Sequence, residues 1–269
     1  MRFPKATLAL ALLIAGAYFF LSGGAPYISD ARLQELAFHY TSLPAGLVTH
    51  AFVHVGAAHL AGNLVPLLAF GAVLESAVSS FDVVLLFFLS AAFSTSIFST
   101  YSSAFLVGAS AGIAGLMGAA LALRPKKAAV VALAVPVVLW LLLPAVSQAV
   151  ASYSEGLSEE KSLLEKNISA LLAENRTVEA VDLNRTAAAV GERLSGVEKG
   201  VVREAITPSD LMVHAYAAVF GVFYVFFLKR KQFREGAGEL ASLGGGIGSS
   251  AKAIKSAFAK KIVRRRQGR

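Results

Sequence analysis

The sequence predicts an all-α, polytopic membrane protein, and three observations carry that expectation. The 269-residue chain is 56% hydrophobic, with a mean hydropathy of +0.63. Charged residues make up 16% of it, where a water-soluble domain carries roughly 25%. Several apolar runs approach the ~20 residues with which a helix crosses a bilayer core.

The first run, Ala6 to Leu21, follows Arg2 and Lys5 and is trailed by the small residues of "FLSGGAPY". That arrangement resembles a cleavable leader. The topology of the later runs needs this segment, so it is read as a retained first span. Further spans follow at Leu60–Leu74, Val83–Phe98, Ser110–Leu123, Ala128–Val146 and Leu211–Leu228. Short connections at Glu75–Asp82 and Arg124–Lys127 imply antiparallel neighbours. The expected organisation is five spans within 1–150, with an embedded external loop at 23–58, then an insertion at 151–208. A sixth span at 209–228 and a basic tail at 229–269 complete it.

The net charge of +8 is unevenly spread and sets the expected orientation. From Lys229 onward twelve Lys/Arg stand against Glu235 and Glu239, whereas 152–207 holds ten acids and seven bases. Arg2, Lys5, Arg124–Lys127 and the tail fall on one side of a six-span chain, the cytoplasmic side by the positive-inside rule. The other side receives 23–58, 99–109 and the acidic insertion. The insertion carries three N-x-S/T sequons, at Asn167, Asn175 and Asn184. Apolar residues at helical spacing (Leu164, Ile168, Leu171, Leu172) make it a helical hairpin outside the membrane. With no cysteine there is neither a disulfide framework nor a thiolate site. These features are compatible with a prokaryotic cell membrane, including an archaeal one.

In the tail, "GGGIG" (Gly244 to Gly248) follows no strand and completes no nucleotide-binding pattern. Ile254, Phe258 and Ile262 recur at i, i+4, i+8 among lysines. An amphipathic helix over 250–266, lying on an anionic inner leaflet, is expected. The basic surplus is a membrane signal; no nucleic-acid partner is expected.

Polar side chains inside spans are costly and mark function. Ser110 lies fourteen residues before Arg124, and His214 fifteen before Lys229. Asn63 and His59 lie twelve and sixteen before Glu75. At ~1.5 Å per residue these are depths of roughly 18–24 Å in a core ~30 Å thick. Three spans therefore bring a hydroxyl, two imidazoles and an amide to one level. A serine hydroxyl needs a base, and neutral imidazole is the usual one. An oxyanion needs donors, and His59 and Asn63 share a helix face one turn apart. The backbone N–H of Ser110, at a helix start, is another donor. No carboxylate stands beside His214 within its span, so a Ser–His dyad fits better than a triad. His50 and His39 are read as membrane-interface or surface residues, and Glu75 as the structural end of the second span.

"HVGAAHLAGN" (His54 to Asn63), "FGAVLE" (Phe70 to Glu75), "GASAGIAGLMGA" (Gly108 to Ala119) and "HAYAAVFG" (His214 to Gly221) resemble the rhomboid intramembrane serine proteases (peptidase family S54). The resemblance covers about Ala6 to Leu228 apart from the insertion. It implies a six-helix bundle with Ser110 as nucleophile and His214 as general base. It implies an oxyanion hole from His59, Asn63 and Ser110, with His54, Gly108, Gly112 and Gly221 supporting. The substrates implied are single-span or polytopic transmembrane proteins, cleaved near the outer face without a cofactor. The sequence departs from the family pattern at Ala111, where glycine is commoner, and at Ala114, where an aromatic is frequent. Ala217 stands for a glycine, and the insertion replaces a short connection between the fifth and sixth spans.

Other readings have less to carry them. A metal site from His54, His59 and His214 lacks an accompanying carboxylate. An inactive, membrane-protein-binding relative would have lost the serine or the histidine. A transporter would show paired broken helices or internal repeats, and none is visible.

Overall fold

The computed structural model describes residues 3–39, 45–202 and 208–242. The amphipathic helix expected at 250–266 and most of the basic tail lie outside the described residues. Among those described there is no strand, only isolated bridges at Tyr27–Gly56 and Phe38–Leu106.

Helix α1 spans Lys5–Ser22 and ends on Gly23 in the left-handed conformation, as helices often do. The short α2 (Asp30–Leu36), α3 (Gly46–Thr49) and a single 3₁₀ turn (His50–Phe52) follow. Then come α4 (Ala57–Glu75) and α5 (Ser80–Phe98), the latter opened by a capping box between Ser79 and Asp82. Helix α6 is Ser110–Leu123, α7 Pro125–Ala173, α8 Thr177–Val202 and α9 Pro208–Leu228. Residues 230–242 form a further helix, α10.

Helices α1, α4, α5, α9 and the first part of α7 are long and apolar enough to cross a membrane, and α6 is a shorter apolar helix of 14 residues. The bundle is an integral, multi-pass membrane protein. Helix α6 sits at its centre, packed against α4, α5, α7 and α9. Its glycines and alanines make that possible, because small residues let helix backbones approach in a membrane. A Cβ on Gly118 would collide with the Ala218 carbonyl, and one on Gly221 with the Gly115 carbonyl. One on Gly112 would lie 2.6 Å from the Phe87 ring.

The bundle is pinned at the end where α4 stops. The Glu75 carboxylate accepts the Ala6 and Thr7 backbone N–H groups at 3.0 Å each, and the Thr7 and Ser80 hydroxyls at 2.8 and 2.6 Å. A carboxylate thereby meets the unsatisfied N–H groups that open α1. Asp82 accepts from Tyr224 Oη at 3.1 Å and pairs with Lys229 at 2.8 Å, joining the start of α5 to the end of α9.

Helix α7 passes through residues 146–151 without a break, although hydropathy drops there. Asn175, at φ 60, turns the chain into α8. Leu157 of α7 and Val190 and Val197 of α8 form a small core that also includes Tyr27 from the loop after α1.

Candidate functional site

The site is assembled around the segment that leads into α6. Phe38 and Leu106 exchange backbone hydrogen bonds of 2.8 and 3.0 Å, and the Gly108 N–H donates to the His50 carbonyl at 2.9 Å. The Ala109 N–H donates to His54 Nε2 at 3.4 Å. Loop 99–109 is thus hung on the chain between α2 and α4, and α6 starts where those contacts set it.

His50 is the correction to the sequence reading. It is not an interfacial residue: 2% of it is exposed. Its Nδ1 donates to the Gly46 carbonyl at 2.8 Å and its Nε2 faces the Thr95 hydroxyl at 3.4 Å. Burial holds its pKa below the ordinary 6.5, so it stays neutral and can use both nitrogens. Its neighbour His54 is fully buried and lies 5.1 Å from the His59 ring, centroid to centroid. Burial first, and then the adjacent His59, push His54 down to about 3. His54 is therefore a neutral acceptor for the Ala109 N–H, and its buried Nδ1 has no hydrogen-bond partner.

Gly108 brings the second element in. Its φ of +102° lies where side chains are strained. A Cβ there would sit 2.8 Å from His59 Nε2 and 3.9 Å from Asn63 Nδ2. The missing side chain lets the His59 ring rest against the backbone two residues before Ser110. Asn63, 5% exposed, donates one amide hydrogen to the His59 carbonyl at 2.8 Å. An amide NH₂ has two hydrogens, so a second donor remains on the nitrogen nearest Gly108. Its Oδ1 is buried without a partner.

Register brings α9 to the same level. Gly115 packs against Ala217 and Gly221, and Gly118 against Ala218. Ala111 and Ala114 cluster with Val213 and Ala217, while Leu121 and Ala122 share a cavity with Val222, so α6 and α9 run in the same direction. Ala111, Ala114, Val213 and Ala217 share one buried cluster. Ser110 and His214 are the chain neighbours of Ala111 and Val213, and both are half-buried. The three alanines that depart from the family pattern, Ala111, Ala114 and Ala217, are thus packing residues between these helices. Tyr101, in the loop after α5, neighbours Tyr216. Loss of water, followed by Tyr216, raises its phenol pKa above 10. No spacing or motif in the sequence pointed to that pair.

Helix α6 at 14 residues covers about 21 Å of a core ~30 Å thick. A central short helix, opened by a serine and ringed by longer apolar helices, with His59 and Asn63 beside the residue two before its start, defines a multi-pass membrane protein with polar side chains inside the bundle. The family model described as Rhomboid domain matches residues 43–169, so this part of the chain is similar to the rhomboid family. The match takes in His54, His59, Asn63, Gly108, Ser110 and Gly112 and ends before His214 and Gly221. Neither the curated proteins nor the solved structures yielded a match.

Proposed function

We propose that this chain is an intramembrane serine endopeptidase that cleaves transmembrane substrates with a Ser110–His214 dyad. The observation that carries the reading is the geometry around Gly108: a glycine at positive φ seats the His59 ring and the Asn63 amide beside the start of the serine helix. The common register of α6 and α9 and the match of residues 43–169 to the Rhomboid domain model support it.

In this reading His214 takes the Ser110 hydroxyl proton as Oγ attacks the substrate carbonyl. The oxyanion is met by the Asn63 amide, the His59 ring and the Ser110 backbone N–H, which has no acceptor within its own helix. The protonated His214 then gives its proton to the leaving amine. Water, deprotonated by His214, hydrolyses the acyl-serine and restores the hydroxyl. His54 acts on the backbone alone, holding the Ala109 N–H so that the Ser110 amide is correctly aimed. Because a helical carbonyl is tied up in the helix ladder, the substrate segment must unwind before attack. The basic ends of the chain are cytoplasmic, so cleavage falls near the outer membrane face.

Incubation of the purified protein with a single-span substrate of weakened helicity tests the proposal. Cleavage is expected to fall by about 10⁴-fold in Ser110→Ala. Unchanged cleavage by that variant would remove the serine from the mechanism.

A further inference from the structure

After α9 the chain bends at Lys229 and α10 doubles back beneath α6. Val222 of α9 and Leu240 of α10 line one cavity, although eighteen residues of straight helix would hold them about 27 Å apart. Gly236 lies directly on the Ala122 carbonyl, where a Cβ has no room, and Glu239 accepts the Lys126 N–H that opens α7 at 3.2 Å. Between the helices remains a cavity of about 320 Å³. Its walls include Leu121 and Ala122 of α6 and Phe233 and Ala237 of α10, with no polar side chain among its lining residues. Leu121 is 45% and Leu240 60% exposed, so the cavity opens on the outer surface of the bundle.

The rim has the opposite character. Arg230 stands one turn before Phe233 on the same face of α10, and Arg234 is next to it; both are exposed. Arg124 caps α6 two residues after Ala122, and its Nε is buried with no hydrogen-bond partner. Lys229, by contrast, is already held by Asp82. An apolar slot opening toward the membrane's hydrocarbon, with guanidinium groups at its mouth, is complementary to a molecule with an acyl chain and an anionic head. A soluble metabolite would find no polar partner inside it. Guanidinium suits a phosphate because it presents parallel N–H donors to two oxygens.

We propose that this groove binds one anionic phospholipid, with an acyl chain between α6 and α10 and the phosphate held by Arg124 and Arg230. The site is distinct from the serine centre, at the opposite end of α6, and from the basic residues beyond 242. Bound lipid ties α10 to α6 and so fixes the end of α9.

Native mass spectrometry of the full-length protein in detergent tests this, with phosphatidylglycerol, phosphatidylcholine or glycerophosphoglycerol added. One phosphatidylglycerol should be retained in preference to phosphatidylcholine, and the chainless headgroup should not bind. Ala237→Trp fills the slot from an exposed position without altering charge and should weaken retention by about tenfold, equivalent to losing about two buried methylenes. The double variant Arg124→Gln/Arg230→Gln should erase the preference over phosphatidylcholine. Equal retention by Ala237→Trp and the parent protein would overturn the proposal, because attraction by the basic tail alone would then account for the lipid. Binding of glycerophosphoglycerol as tight as that of the lipid would overturn it as well.

Discussion

Gly108 is the residue at which the site is most sensitive to a single carbon. Alanine there would force a strained φ and drive a methyl group to within 2.8 Å of His59 Nε2. Gly108→Ala should therefore lower kcat at least about 100-fold through misplacement of the oxyanion donors. Its thermal stability should change by no more than about 1–3 kcal/mol. A variant with parental turnover in a peptide-cleavage assay would contradict the arrangement. The buried histidines give a pH signature. His54 is protonated at about 3 when folded and near 6.5 when unfolded, so between these values the unfolded chain binds the extra proton. Stability from this group is complete above pH 6.5 and is lost as pH falls from 6.5 toward 3. Scanning fluorimetry in detergent should show the midpoint dropping over that range, and His54→Gln should flatten the drop by an amount of order a few kcal/mol. At this scale the sequence was legible where spacing along one helix sufficed, as for His59 and Asn63. It misled at His50, whose partners Gly46 and Thr95 come from two elements that meet only in the folded chain.

At the scale of elements, the contact of α6 with α9 is made by backbone against backbone. Gly221→Val would insert a side chain where even a Cβ collides with the Gly115 carbonyl. Overpacking of this kind costs about 1–3 kcal/mol, and here it also pushes His214 away from Ser110. Loss of both midpoint and turnover is expected, while Gly238→Val, with open space around it, should leave both unchanged. Equal behaviour of the two variants would refute the packing account. The small-residue run of α6 was readable because membrane helices pack through such residues, and its limits at Ser110 and Leu123 coincide with the expected span. Helix α7 was not readable as one unit. Hydropathy falls after Val146, but Ser, Gln, Glu, Lys and Leu sustain a helix in water as well as apolar residues do in lipid, so the backbone does not change where the solvent does. Helix α10 was hidden for a related reason. Phe233, Ala237 and Leu240 do recur at helical spacing, but the cluster of Lys229, Arg230, Lys231 and Arg234 reads first as a charge signal.

For the whole molecule, the distribution of charge predicts an orientation by the positive-inside rule, and the absence of cysteine makes that orientation easy to measure. Asn175 lies at the turn of the α7–α8 hairpin and Arg234 on α10; both are exposed. In intact cells a membrane-impermeant maleimide should label Asn175→Cys and leave Arg234→Cys unlabelled until the membrane is opened. The reverse pattern would invert the topology and move the serine centre to the cytoplasmic face. Helical class and membrane insertion were legible, since composition and the length of the apolar runs determine them. The hairpin's seat on Tyr27 was not, because it joins residues about 130 positions or more apart through a loop with no pattern of its own.

The central claim is that His214 activates Ser110. It is tested most directly by labelling the protein in its own membranes with a fluorophosphonate probe, which reacts with an activated serine. The account predicts stoichiometric labelling that maps to Ser110, is absent in Ser110→Ala and is lost in His214→Ala even though that variant remains folded. Labelling of Ser110 undiminished in His214→Ala would contradict it.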